Sequence, residues 1–319
     1  MSQISQRLDS FSYKVRAVPG GENLDACYAC GTCVSKCMIQ QKLEPEYNPR
    51  RLLRLVVQDM EEEAYKDPTT WMCSQCDLCY LACPQQIHIS SLIKAVKQLA
   101  VEAGYTSPLE AVSVDEALCS GCGICVMACP YAAPSLYETS PNGNPDRFAK
   151  VDENLCMGCG ICVAACPTGA IARQGVSNPE VYAQIKLQTA NGKPNLAVFI
   201  CDWCLRSDSD LTILETYPEN VHVIHIPCSG RIDPQMALLA LGRGYDGVLV
   251  CGCKPGECHY VRGTTVGNCK MDLFGRMFTE MVSDRHMVRF AQIGTQERGR
   301  IRMEIDGMLD TLLLQKERS

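Results

Sequence analysis

Four copies of one cysteine spacing constrain this chain more than any other feature. CYACGTCVSKC (27–37), CSQCDLCYLACP (73–84), CSGCGICVMACP (119–130) and CMGCGICVAACP (156–167) are each C-x2-C-x2-C-x3-C, and three of the four end in Cys-Pro. Three thiolates spaced this way can each take one corner of an iron–sulfur cube, and small residues between them let the backbone come close. The fourth Cys starts the next turn and points away, so it serves the cube of a partner run. Proline ends that turn without needing an amide hydrogen. Zinc is the competing reading. A structural zinc site takes four ligands, usually two CxxC pairs, and has no use for a third Cys at x2 followed by another at x3.

The four runs make two pairs. Only 26 residues separate Cys129 from Cys156, with PNGNP (141–145) as a turn and FAKVD (148–152) as a short strand. That is a compact two-cluster module with pseudo-twofold halves. Crossed ligation assigns Cys119, Cys122, Cys125 and Cys166 to one cube, and Cys156, Cys159, Cys162 and Cys129 to the other. The 35 residues between Cys37 and Cys73 read differently. RRLLRLVVQDMEEEAYKD has apolar residues at 52, 53, 56, 57 and 60, a helical period, with Asn48 as cap and Pro49 in the first turn. ISSLIKAVKQLAVEAG (89–104) is also helical, with Ser90 as its expected cap. The first pair therefore belongs to an all-helical module, with Cys27, Cys30, Cys33 and Cys83 on one cube and Cys73, Cys76, Cys79 and Cys37 on the other.

Composition narrows the setting. A chain of 319 residues with 23 cysteines would suggest a disulfide scaffold if it were small and secreted. MSQISQRLDSFSYKV has no apolar core and no small-residue cleavage site, so export is not expected. No apolar run approaches the roughly 18–20 residues that span a bilayer. These features point to a cytoplasmic, metal-binding chain without membrane insertion. A net charge of −6 offers no electrostatic reason to bind nucleic acid.

Beyond Cys166 the periods change. Residues 173–195 hold a short helix, capped by Asn178 with Pro179 behind it, between turn-rich flanks, and read as a linker. NLAVFI (195–200), VHVIHI (221–226), DGVLV (246–250) and MVRFAQI (287–293) are apolar runs suited to strands buried on both faces. PQMALLALGRG (capped by Asp233), MDLFGRMFTEMVS and QERGRIRMEIDGMLDTLLLQK alternate with them as helices, which implies a small parallel α/β sheet. Cys201, Cys204, Cys228, Cys251, Cys253 and Cys258 lie at or just after strand ends, the edge where ligands gather in such sheets. Cys251 is expected to be a packed core thiol, since a bend at Gly252 would leave only one of Cys251 and Cys253 reaching the metal. Five candidates remain for a site that takes four thiolates, and zinc is more credible here than in the cubane runs.

The bland readings concern the other residues. His222 and His225 read as satisfied histidines on a buried strand, and His259 as a residue that orients its loop. Cys269 reads as a loop thiol, the glutamates at 61–63 as a solvated helix face, and GRGYDG (242–247) as a helix stop and turn.

Two resemblances sharpen this picture. Residues 27–95, through CYACGTCVSKC, NPRRLLRLV and TTWMCSQCDLCYLACPQQIHI, resemble the C subunit of heterodisulfide reductase, although Met38 stands where a proline usually follows the fourth Cys. That change loosens a turn and removes no ligand. CDWC (201–204), CSGR (228–231), VLVCGCKPGECHY (248–260) and GTQERGRI (294–301) resemble the delta subunit of methyl-viologen-reducing hydrogenase. The module between them has the bacterial ferredoxin spacing, too widespread to identify a family.

The fold class expected is α+β multidomain: a helical two-cluster ferredoxin (1–105), an α+β two-cluster ferredoxin module (106–172), a linker (173–195) and a flavodoxin- or Rossmann-like α/β domain (196–319). The cofactors expected are four [4Fe–4S] clusters and one [2Fe–2S] cluster. The resemblances imply an electron-transfer subunit of a heterodisulfide-reductase-like oxidoreductase, of the kind found in flavin-based bifurcating complexes of anaerobic metabolism. Its partners would be a flavin-containing, A-type heterodisulfide reductase protein and a further catalytic subunit, with no catalytic residue of its own. Two alternatives stand beside it: a reductase that cleaves a disulfide substrate, and a zinc scaffold without redox function. The absence of any Cys-Cys pair weighs against the first of these.

Overall fold

The computed structural model describes residues 10–42, 46–138, 147–188, 192–204, 217, 219–282, 288–294, 297 and 299–317. The PNGNP turn and Ser283–Met287 lie outside these residues, as do Thr295, Gln296 and Arg298 of GTQERGRI. No helix among the described residues is long and apolar enough to cross a membrane. The chain forms two compact units, Met1–Leu109 and Glu110–Ser319.

The first unit is helical throughout its described residues. Its main helices are α1 (Phe11–Ala17), α2 (Thr32–Lys36), α3 (Met38–Lys42), α4 (Pro49–Val57), α5 (Glu61–Lys66), α6 (Pro68–Met72), α7 (Leu78–Ala82) and α8 (Ile89–Glu102). Asn48 caps α4, its side chain accepting from the Arg51 amide, as its place before Pro49 predicts. The expected single helix from 49 to 66 is broken in two. Asp59 takes a left-handed φ of 57°, and its carboxylate accepts the Ser12 amide at 2.7 Å, so a contact with α1 overrides the local helical period. Ser90 does not cap α8. His88 holds that position, and the Ser90 hydroxyl bonds Asp77 instead. Met38 opens α3 and is buried. Leu52, Leu53 and Val56 pack with Leu92, Ile93 and Val96 into a core bordered by Cys27, Cys33, Cys73, Cys79 and Cys83.

The second unit begins with two quasi-equivalent halves. Strand β1 (Ser113–Val114) pairs antiparallel with β4 (Ile171–Ala172), and β2 (Pro134–Glu138) with β3 (Arg147–Val151). Helices α9 (Ile124–Ala128) and α10 (Ile161–Ala165) follow left-handed Gly123 and Gly160 at φ 75° and 76°. Then come α11 (Asn178–Gln184), β5 (Leu196–Cys201), β6 (Val221–Ile226), a 3-10 turn (Ser229–Arg231) and α12 (Pro234–Gly242). The chain closes with β7 (Gly247–Cys253), α13 (Gly263–Val282), β8 (Val288–Ile293) and α14 (Arg300–Lys316). The four strands β5 to β8 form one parallel sheet in the order β6-β5-β7-β8, the start of a flavodoxin-like arrangement.

Several local expectations need correction. Residues 173–195 are not a free linker, because Val181 and Ile185 are buried in the core of the α/β sheet. Ser177 caps α11 in place of Asn178, since Glu180 completes a capping box with it. Strand β6 lies at the sheet edge, so His225 is half-exposed beside Asp202 at 3.5 Å, and His222 Nε2 lies 2.7 Å from the Gln184 carbonyl. Cys269 lies on α13, not in a loop, and is exposed.

Candidate metal centres

Each x3 cysteine sits where its own short helix ends. Cys37, Cys83, Cys129 and Cys166 all follow a five-residue helix in extended conformation, φ between −75° and −79°. That geometry turns their sulfurs away from their own run. Cys83 lines a small recess together with Cys27, Cys30 and Cys33. Cys166 lines another with Cys119, Cys122 and Cys125, walled by Leu136, Ala149 and Ile171.

Electrostatics group the remaining thiols. Burial, and behind it the charge of Cys76 and Cys37, pushes Cys73 up to about 12. Burial, then Cys129 and Cys156, pushes Cys159 up to about 12. Buried thiols crowded this way resist ionising together unless a cationic centre holds them as thiolates. The donor set therefore fits a metal cluster. Hydrogen bonds to sulfur fit it too: the Ala149 amide donates to Cys119 Sγ at 3.4 Å, and the buried Tyr47 hydroxyl bonds Cys37 and Cys73.

The carboxyl edge of the parallel sheet gathers a fifth group. Cys201 ends β5 and Cys253 ends β7, adjacent strands at the point where the sheet order reverses. The sulfurs of Cys201, Cys204 and Cys253 all lie within 4.8 Å of one another. Cys201 also bonds Cys228, which in turn bonds Cys258, so five buried thiols form one contiguous set. The Gly230 amide donates to Cys228 and the Thr264 amide to Cys258, both at 3.4 Å. The 254–257 turn closes with Glu257 donating to the Lys254 carbonyl at 3.0 Å, which returns Cys258 to the others. His259 stacks on Trp203 with ring centroids 3.3 Å apart, beneath the CDWC loop.

Cys251 stands apart from this set, for a different reason than a bend. Strand β7 runs unbroken through Gly252 to Cys253, so Cys251 and Cys253 share a face. The site lies beyond the strand end, and Cys251 sits two residues, about 7 Å, further back. It pairs with Ala291 and Ile200 in the sheet, and burial, then Glu304, pushes its thiol up to about 12. Cys251→Ala is expected to leave the metal content of this domain unchanged, as measured by iron and sulfide analysis of the full chain. Loss of the metal in that variant alone would make Cys251 a ligand.

The fifth group and the thiols of the 156–162 run are neighbours within the second unit. Tyr260 is buried and Tyr131 half-buried between them. Burial first, then the thiols of Cys159, Cys228 and Cys258, raises the Tyr131 hydroxyl far above its ordinary range. The 3-10 turn packs Gly230 against Ile161 of α10. Sequence reasoning missed this seam, because no local pattern links residues 131 and 160 to residues 230 and 260.

Known proteins match the chain in three segments. Residues 23–87 and 99–186 match models of the 4Fe-4S dicluster domain, and residues 196–313 match the model of the methyl-viologen-reducing hydrogenase delta subunit. The iron-sulfur D subunit of the F420-non-reducing hydrogenase of Archaeoglobus profundus is 35% identical over 107 residues, 33% of this chain and 78% of that protein. The C subunit of the H2:CoB-CoM heterodisulfide,ferredoxin reductase of Methanothermobacter marburgensis is 34% identical over 98 residues, 31% of this chain and 51% of that protein. The A subunit of the ferredoxin:CoB-CoM heterodisulfide reductase of Methanosarcina mazei is 38% identical over 132 residues, 40% of this chain. The chain spans only 17% of the length of that protein.

Proposed function

Through residues 196–313 the chain belongs to the methyl-viologen-reducing hydrogenase delta-subunit family, and from that premise we propose that it is an iron–sulfur wire within a heterodisulfide-reductase-like complex. Its 4Fe-4S dicluster domains make it an electron-transfer chain. The finer reading is four [4Fe–4S] clusters held by the crossed sets of four thiols, and one [2Fe–2S] cluster on four of Cys201, Cys204, Cys228, Cys253 and Cys258. Such clusters supply one-electron carriers whose potentials the protein tunes. The observation that supports this most is the crossed lining of both recesses, in which the fourth sulfur always comes from the other run.

The residues around the clusters would keep water away and orient the thiolates. Backbone amides at Ala149, Gly230 and Thr264 and the Tyr47 hydroxyl would spread the sulfur charge. In the proposed assembly the delta-like domain faces a flavin-containing protein of the A type, another partner supplies catalysis, and flavin-based bifurcation belongs to the complex. We assign the chain to the cytoplasm on its cysteine usage, which suits a reducing compartment.

Iron and acid-labile sulfide analysis of the anaerobically purified full chain tests this reading. The expected result is a brown protein with about 18 irons per chain that bleaches in air. A colourless protein holding zinc and no sulfide would replace it with the scaffold reading.

A further inference from the structure

The two halves of the ferredoxin module differ at one equivalent position. A Cβ on Gly123, which opens α9, would meet only Leu136 Cδ1, at 3.2 Å. A Cβ on Gly160, which opens α10, would lie 2.8 Å from Cδ of Arg231. Arg231 comes from the CSGR turn of the delta-like domain, and its side chain is fully buried. Its Nε donates to the Val176 carbonyl at 2.9 Å and its Nη2 to Asn178 Oδ1 at 2.7 Å, while Nη1 is buried without a hydrogen-bond partner. An unpaired guanidinium nitrogen in the interior is costly unless negative charge lies near it. The groups within reach that can carry negative charge are Asp233 first, then the Tyr182 hydroxyl and the Cys162 thiol. Asp233 is only half-buried, and its carboxylate already caps α12 by accepting the Gln235 amide. Burial lowers the Arg231 pKa to about 10, so the guanidinium stays protonated at neutral pH.

Arg173 adds to this asymmetry: its Nη1 donates to the Gly158 carbonyl at 2.6 Å, whereas Arg147 meets Gly121 only through its backbone and Cβ. Unlike Arg231, Arg173 and Arg147 each face a glutamate, which offsets their charge. Lys270, a partly buried cation nearby, is bound to the Gly230 and Ile232 carbonyls.

We propose that Arg231 is a tuning residue: its fixed charge raises the reduction potential of the cluster held by Cys129, Cys156, Cys159 and Cys162 above that of its twin. This rests on the reading that both sets hold cubanes. A cation beside a cluster favours the reduced, more negative form, and in a dry interior the effect is weakly screened. Electrons entering at Cys119, Cys122, Cys125 and Cys166 would settle on the cubane next to the five-thiol group. The delta-like domain would thereby set the potential of its neighbour through a residue of its own.

An EPR-monitored redox titration of the anaerobic full chain tests this. In Arg231→Gln, reduction of one cubane should become about tenfold less favourable, 59 mV for one electron, with the other couples unmoved. Arg231→Lys should restore most of the shift. An iron-loaded Arg231→Gln chain with every couple in place would overturn the proposal, as would equal shifts in the Gln and Lys variants. If Arg231→Gln fails to load iron, Leu136→Arg is the second arm. It should raise the couple of the Cys119 cubane, and an unmoved couple there would also overturn the proposal. A wild-type chain without iron and sulfide would instead refute the cubane reading beneath it.

Discussion

Cys83→Ala is expected to abolish the cluster held by Cys27, Cys30 and Cys33 and to leave intact the one beside it in sequence. The intuitive outcome is the reverse, since Cys83 closes the run that starts at Cys73. In the structure Cys83 and Pro84 wall the recess of the first run, and Cys37 bears on the thiols of the second. Iron should fall by about four per chain. The spectroscopic signal lost should be the one lost in Cys30→Ala, while Cys76→Ala should remove a different one. If Cys83→Ala and Cys76→Ala lose the same signal, the crossed arrangement is wrong.

Gly263→Ala is expected to empty the carboxy-terminal site of about two irons per chain while the cubanes persist. The added methyl would stand 2.0 Å from Cys228 Sγ and 3.4 Å from Cys258 Sγ. Both sulfurs are buried, so neither has room to retreat without leaving the cluster of thiols. Gly275→Ala on the same helix is the control. Its methyl meets nothing within 4 Å, and it should stabilise α13 by about 1 kcal/mol without loss of iron. Equal iron in the Gly263→Ala and wild-type chains would show that Cys228 is not a ligand.

Much of this was legible in the sequence, for physical reasons that differ by element. The C-x2-C-x2-C-x3-C offset predicts a fourth sulfur turned toward the partner run, and Cys83 lines the recess of Cys27, Cys30 and Cys33. The strands of the sheet were legible as apolar runs, although edge placement of β6, which leaves His225 half-exposed, depends on strand order and not on composition. The break at Asp59 was invisible, because the group that stabilises it is the Ser12 amide 47 residues away. Cys251 is a buried thiol, but not through the bend at Gly252 that its sequence suggests; β7 runs straight to Cys253. Arg231 raised no signal, since an arginine after CSG looks like any turn residue until Gly160 is found against it.

The packing of residues 173–195 bears on how such a chain can be taken apart. Val181 and Ile185 belong to the core of the α/β sheet, Arg231 is bound by Val176 and Asn178, and Arg173 donates to Gly158 at 2.6 Å. A splice placed in this stretch would cut through a hydrophobic core and through the arginine's anchors. The boundary between the two compact units lies instead between Leu109 and Glu110. Exchanging the delta-like domain of this chain alone would strip Gly160 of its contact with Arg231 and expose Val181 and Ile185.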